Sequence, residues 1–229
     1  MKNLKNIKKA TLTLGCFFIL TVSFAQNSNK KKVLVVPHNR FQFQTEFDIK
    51  EIAAKNNITS SEVFLHYEKA LLDVFENYED DNFEFIPIAI NEARKYKKFI
   101  QYKAGSFNGK NYNAVDLSNF SETNFTTLLT HYQADFILFI TWYDIQKKRH
   151  LKTGIKRDKV RYAAHFLDFD VYNLFRHHVI GLAKVQAEAP APTNSEASFS
   201  LLRIQEVKMA YDNFAGKVIE QLNQPIKLK

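Results

Sequence analysis

Acidic and imidazole side chains in one segment have types and spacing that suit acid–base chemistry. Asp168 and Asp170 stand two residues apart, and His165 lies three residues before Asp168. Alternate residues of an extended strand share a face, so the two carboxyls would lie together and His165 would point to the other side. Paired carboxyls can serve as general acid and base. More often such carboxyls are solvated, or they pair with nearby bases such as Arg161 or Lys184.

His38 and Arg40 follow residues 33–36, the first strongly apolar run after residue 25. Open α/β sheets bind ligands at the carboxyl ends of their strands, so these two residues could belong to a site. Pro37 ends a strand, however, and a lone histidine without a named partner is usually structural or solvated. We interpret residues 37–40 as a strand exit whose polar side chains face water.

Other catalytic and metal-binding patterns are missing from the sequence. The neighbouring His177 and His178 would point to opposite faces of a strand and so could not readily chelate one metal. The glycine-containing stretch at residues 105–110 lacks the spacing and the hydroxyl residue of a phosphate-binding loop, so it indicates a turn. Neither a His-Glu-x-x-His helix nor a Gly-x-Ser-x-Gly elbow occurs. The sequence therefore predicts no catalytic residue, no cofactor and no metal site.

The most uneven feature of the chain is a basic segment at residues 145–161, in which Asp158 is the single acid. Such a run raises the local potential and attracts anions. We predict that it binds an anionic surface or partner, which could be an envelope protein, lipopolysaccharide, a glycan or a lipid headgroup. The alternative is a solvated β-arm whose charges prevent aggregation. Nucleic acid is not favoured, since no reading motif is present. The predicted binding residues are Lys147, Lys148, Arg149, Lys152, Lys156, Arg157, Lys159 and Arg161.

Hydrophobic periodicity predicts the elements that must position these residues. The fold class is α/β (mixed α+β): a single mixed sheet with a βαβ start, a long C-terminal antiparallel hairpin and a terminal helix packed on the sheet. Residues 91–119 look like an irregular insertion, partly helical and partly hairpin. Strands are predicted at 33–36, 83–90, 136–140, 160–172 and 177–187, and helices at about 60–78, 121–132 and 196–222.

The first 25 residues have the pattern of a secretory signal peptide. Four lysines precede an apolar run at residues 12–24, and Ser23 and Ala25 suit a cut before Gln26. An uncleaved N-terminal anchor is the alternative. Lipidation at Cys16 is disfavoured, because the chain stays apolar after it. We therefore expect residues 26–229 to form one exported domain, periplasmic or extracellular, without cysteine and hence without disulfides.

The overall charge is weak evidence for a nucleic-acid partner. The whole chain carries 32 basic and 24 acidic residues, a net +8, and removal of the four lysines of the leader lowers this to +4. The remaining excess lies largely in the basic segment. Length also sets a bound, since about 200 residues are enough for one domain with a substantial core.

The order of the elements resembles the exported α/β domains of the TolB N-terminal, curli-secretion lipoprotein and penicillin-binding-protein activator group. The resemblance lies in the strand ending Val35-Val36-Pro37 and in three further stretches, "ADFILFI" (134–140), "LDFDVYNLFRHHVIGLA" (167–183) and "YDNFAGKVIEQL" (211–222). The leader ending in Phe-Ala-Gln resembles secreted proteins of Bacteroidota. The resemblance implies an envelope accessory protein that binds other proteins and is not an enzyme.

These observations together predict a secreted envelope protein that acts by binding, as an accessory or assembly module with a basic arm for an anionic partner. Two alternatives stay open. The first is a hydrolase that uses Asp168, Asp170 or a histidine, which would require those groups to converge in one pocket. The second is a structural subunit of an envelope complex.

Overall fold

The computed structural model describes residues 30–151, 159–187 and 202–224, with the backbone alone for 149–151 and 159–161. The helices are α1 (Ile49–Asn56), α2 (Val63–Glu76), α3 (Ile90–Lys97), α4 (Glu122–Tyr132) and α5 (Ile204–Leu222). The strands are β1 (Lys31–Val36), β2 (Phe43–Thr45), β3 (Phe83–Pro87), β4 (Gln101–Phe107), β5 (Lys110–Asp116), β6 (Phe136–Leu151), β7 (Lys159–Asn173) and β8 (His178–Ala187).

The main sheet is mixed, with the strand order β3-β1-β6-β7-β8 and the short β2 beside β6. Strand β1 runs parallel to β3 and to β6, whereas β7 runs antiparallel to β6 and β8. The predicted mixed α/β fold, its βαβ start, its C-terminal hairpin and its terminal helix are therefore confirmed. β3 lies at the sheet edge and ends on Pro87, which agrees with the restriction of proline to edges and strand ends.

Two hydrophobic cores cover the two faces of the sheet. Val33 and Val35 contribute to the core shared with α2 and α5, whereas Leu34 and Val36 contribute to the core shared with α4. All four side chains are almost completely buried. This double burial explains why the strand reads as a continuous apolar run instead of an alternating one.

Helix starts follow their capping residues closely. Ser121 Oγ accepts a hydrogen bond from the Asn124 backbone N at 3.1 Å, and α4 begins at the next residue. Glu62 Oε2 accepts from the backbone N of Thr59 at 2.8 Å, which is one half of a capping box, and α2 begins after it. Of the predicted terminal helix, residues 196–201 lie outside the described residues.

Residues 91–119 contain most of α3 and a separate two-stranded sheet formed by β4 and β5. The turn between these strands is Asn108-Gly109, whose φ angles of 50° and 76° are both positive. A two-residue turn of this kind matches the right-handed twist of a β-hairpin and favours Asn-Gly. The stretch that faintly resembles a phosphate loop is therefore a hairpin turn.

Strand β6 is much longer than the predicted 136–140, because it continues through the basic segment to Leu151. Beyond Ile145 on β6 and His165 on β7, these two strands pair with each other and with no other strand of the described residues. We call residues 146–151 and 159–164, which form this two-stranded extension, the basic ribbon. Lys152, Lys156 and Arg157 lie outside the described residues.

Candidate functional site

The register of the basic ribbon places four basic residues on one face. Arg149 stands opposite Arg161, Lys147 opposite Ala163, and Leu151 opposite Lys159. Residues directly opposite in an antiparallel pair share a face, as do alternate residues along each strand. We call this the cationic face; it carries Lys147, Arg149, Lys159 and Arg161. Like charges directly opposite each other destabilise a strand pair, so the arrangement is unfavourable for the isolated protein.

Two ribbon lysines have described side chains, and both lie against aromatic rings. The Lys147 Nζ is 5.1 Å from the centre of the Phe47 ring, and the Lys148 Nζ is 5.2 Å from that of Phe166. Cation–π contacts of this kind hold a lysine in place while leaving its charge uncompensated. Glu46 also contacts the ribbon, since its Oε2 accepts a hydrogen bond from the Lys147 backbone N at 2.6 Å.

The ribbon leaves the sheet at a buried cluster of hydroxyl and imidazole groups. The hydroxyl of Tyr143, on β6, bonds His165 Nδ1, on β7, at 2.7 Å and also bonds the hydroxyl of Tyr211, on α5. All three residues have no exposed surface. Burial raises the pKa of Tyr143 well above its ordinary value, so the phenol stays neutral. The cluster ties both ribbon strands to α5 and fixes the direction in which the ribbon leaves.

Asp168 and Asp170 share a face, as predicted, but the expectation that they are solvated or paired with bases is wrong. Both carboxyls are buried under the β4–β5 hairpin. Asp170 accepts from the Tyr112 hydroxyl at 2.6 Å and from the Val115 backbone N at 2.7 Å, and it lies 2.7 Å from His178 Nε2. His165 points to the opposite face, as predicted.

Asp168 completes the attachment of the hairpin. Its Oδ2 accepts from the Asn113 backbone N at 3.1 Å, and its Oδ1 accepts from the Lys184 backbone N at 2.7 Å. The N–H groups of Asn113 and Val115 lie on the edge of β5 away from β4, so the two carboxylates take the place of a neighbouring strand. Burial raises the pKa of Asp168. We call these two carboxylates and their hydrogen bonds the carboxylate clasp.

His38 does not face water, so the interpretation of residues 37–40 as a fully solvated exit is wrong at this position. The imidazole has no exposed surface, and neither ring nitrogen has a hydrogen-bond partner among the described residues. Phe43 stacks against it at 6.0 Å between ring centres, and Tyr143 meets it edge-on at 5.2 Å. Burial, with a smaller contribution from Lys97, lowers the pKa of His38 to about 3.

A buried ion pair that the sequence analysis missed lies beside His38. The Lys97 ammonium of α3 donates to Glu68 Oε1 of α2 at 2.6 Å and to the His38 carbonyl at 3.0 Å. Glu68 is almost completely buried. The pair links helices on opposite faces of the sheet across the carboxyl end of β1. The three residues are 29 or more positions apart, so no local pattern could have indicated the contact.

The four residues considered for hydrolysis do not converge on a common cleft. Asp168 and Asp170 lie in the carboxylate clasp, whereas His38 and His165 contact Tyr143 on the other face of the sheet. A groove of about 780 Å³ between α1, α2 and α5 is lined by none of the four. Within the described residues, no three His, Cys, Asp or Glu side chains form a cluster suited to a metal ion.

Comparison with known proteins gives a limited result. No protein-family model matches the chain, and no curated protein matches it. Among solved structures, the hypothetical protein CT253 of Chlamydia trachomatis is similar over 84% of this chain and 95% of its own, with 10% identity and a TM-score of 0.39. Lipoprotein GNA1162 of Neisseria meningitidis is similar over 85% and 99%, with 13% identity and a TM-score of 0.29. Among the described residues, no helix combines the length and the apolar character that a membrane span needs.

Proposed function

We propose that this protein is an exported accessory module of the cell envelope that acts by binding, and that its basic ribbon contacts an anionic partner. An accessory role of this kind is also what the resemblance to the TolB N-terminal, curli-secretion and penicillin-binding-protein activator group implies. It is not an enzyme in this view, because His38 and His165 are committed to packing and Asp168 and Asp170 to the carboxylate clasp.

The observation that carries the proposal is the register of Arg149 opposite Arg161 on the cationic face. Like charges at directly opposed positions destabilise a strand pair by a fraction of a kcal/mol to about 1 kcal/mol. An anion bound to that face would remove the repulsion between the two arginines. Removal of this repulsion would make the free energy of binding more favourable. Surface arms that serve only solubility gain nothing from concentrating charge on one face.

The rigid attachment of the ribbon also supports a binding role. Tyr143 and His165 are buried at its base and are bonded to each other at 2.7 Å. A surface whose direction is fixed loses little conformational entropy when a partner docks. The leader at residues 1–25 supports an envelope location, where phosphate-rich lipids and acidic proteins are available as partners.

The test compares capture of envelope components by the wild-type protein and by a variant with glutamine at Lys147, Lys148, Arg149, Lys156 and Arg157. We expect the variant to lose capture and the wild-type capture to decline as salt increases, because exposed charges are screened. Thermal melting should change little, since Lys147 and Lys148 belong to neither core.

A matched control carries the same number of Lys-to-Gln changes elsewhere on the surface, for example at Lys50, Lys69, Lys95, Lys98 and Lys110. This control lowers the net charge equally but leaves the ribbon intact. Equal loss of capture in both variants would show a general charge effect and would reject the ribbon as the binding surface. Undiminished capture by the ribbon variant would reject it as well.

A further inference from the structure

We propose that the partner of the basic ribbon is the surface of a bilayer that contains anionic phospholipids, and that Phe41 inserts into it beside the ribbon. This inference rests on the proposed function and specifies its partner. It starts from Phe41, whose side chain is 84% exposed although it is large and apolar. A single exposed apolar side chain is common on a protein surface, but an exposed ring close to basic residues matches the combination of groups that binds a membrane interface.

Phe41 lies close to the β6 residues that precede the ribbon. It belongs to a short 3-10 turn, Arg40–Gln42, that contacts β6. Strand β2 follows at once and pairs with residues 143–145, immediately before the ribbon begins. Arg40, next to Phe41, is exposed as well. One aromatic ring and five basic positions (Arg40 and the four of the cationic face) therefore lie along one stretch of β6 and its neighbours.

This combination of groups suits a bilayer better than it suits an acidic protein. Basic side chains bind lipid phosphates at the headgroup level, while an aromatic ring enters the boundary between headgroups and acyl chains. The paired ribbon strands extend for about 20 Å at roughly 3.4 Å per residue, which spans several headgroups.

A second exposed phenylalanine supplies a matched control. Phe175 is 70% exposed and follows β7, whose last residue, Asn173, pairs with Phe136 at the start of β6. It therefore lies at the opposite end of β6 from the ribbon. If exposure of an apolar ring alone produced membrane binding, both phenylalanines would contribute. The proposal requires that Phe41 contributes and Phe175 does not.

The experiment measures co-sedimentation of the chain from Gln26 onward with vesicles of phosphatidylcholine alone and of phosphatidylcholine mixed with phosphatidylglycerol. We expect binding only to the mixed vesicles, weakening as salt rises. A basic residue near an anionic surface contributes about 1 kcal/mol, so Lys147→Gln with Arg149→Gln should weaken partitioning roughly 30-fold. Phe41→Ser should weaken it about tenfold, because insertion buries only part of the ring. Phe175→Ser should leave it unchanged.

Several results would overturn the inference. These are equal binding to neutral vesicles, an equal loss from Phe41→Ser and Phe175→Ser, or no vesicle binding at all. The absence of vesicle binding is interpreted together with the capture experiment. If the protein ignores vesicles but the ribbon variant loses an envelope protein, the partner is an acidic protein and the proposed function survives without the lipid. If neither measurement depends on the ribbon, both proposals fail.

Discussion

Acidification should destabilise this protein through His38, and replacement of His38 by Phe should remove that part of the pH dependence. The imidazole is completely buried, and burial together with Lys97 lowers its pKa to about 3 from its ordinary value of 6.5. In the unfolded chain the ring regains its ordinary pKa. Between these two values the unfolded state binds more protons than the folded state, so stability falls as the pH falls.

The size of the effect follows from the two pKa values. One pKa unit corresponds to 1.36 kcal/mol, so the full separation corresponds to about 5 kcal/mol, reached only below the folded pKa. Between pH 7.5 and pH 5 the loss attributable to His38 is about 2 kcal/mol by the same linkage relation. That loss is a large fraction of the stability of an ordinary domain.

Urea unfolding at pH 7.5, 6 and 5 measures the effect, with Trp142 fluorescence and far-ultraviolet circular dichroism as the probes. The His38→Phe variant keeps an aromatic ring against Phe43 and Tyr143, so its core should stay packed. All other titrating groups are common to both proteins and cancel in the difference. His177→Gln, at an exposed position, is the control for loss of a histidine, and its stability should fall more steeply with acidification than that of His38→Phe.

The reasoning fails if the wild type and the His38→Phe variant lose stability in parallel as the pH falls. It also fails if the variant is markedly less stable than the wild type at pH 7.5. That result would show that the ring nitrogens make favourable interactions in the folded state, since removing an unpaired buried polar group should be neutral or stabilising.

The carboxylate clasp gives two further predictions. Asp170→Asn should destabilise the fold by about 2 to 4 kcal/mol, because an amide replaces a buried carboxyl that accepts from Tyr112 and Val115 and contacts His178, and hydrogen exchange should speed up most in β4 and β5. Unchanged exchange there would contradict the clasp. Gly181→Ala should cost about 1 to 3 kcal/mol in urea unfolding, because its Cβ would lie 2.6 Å from Tyr112 Cζ. Gly216→Ala, in α5, should cost far less, and equal losses would reject the steric argument.

The alternation of residues predicted part of the clasp but not its partners. The pattern from His165 to Tyr172 placed Asp168 and Asp170 on one face, and the structure agrees. Their partners on the β4–β5 hairpin lie 55 or more residues earlier in the chain, and no local pattern encodes where that hairpin docks. Two acids at alternate positions of a strand can themselves indicate that another element docks over them, because a buried carboxyl requires hydrogen-bond donors.

The strand exit at His38 shows a different limit of sequence reasoning. Pro37 correctly indicated the end of β1, but the burial of His38 depends on Phe43 of β2, a strand of three residues with no readable period. The length of β6 was missed for a related reason. Its apolar run ends near Ile140, and beyond it the strand is defined by pairing with β7, not by hydrophobic pattern.

The buried polar groups and the exposed basic ones therefore play different physical parts in this molecule. His38, Asp168 and Asp170 are held inside the fold, where they can influence stability and its pH dependence but cannot reach a substrate without local opening. The basic residues of the ribbon belong to neither core and concentrate charge on one face, so changes at those residues should alter binding while leaving the cores intact. A substitution that abolishes capture and leaves urea unfolding unchanged is expected only in the ribbon or at Phe41. If such a substitution were found in the clasp, the division between a stabilising interior and a binding extension would be wrong.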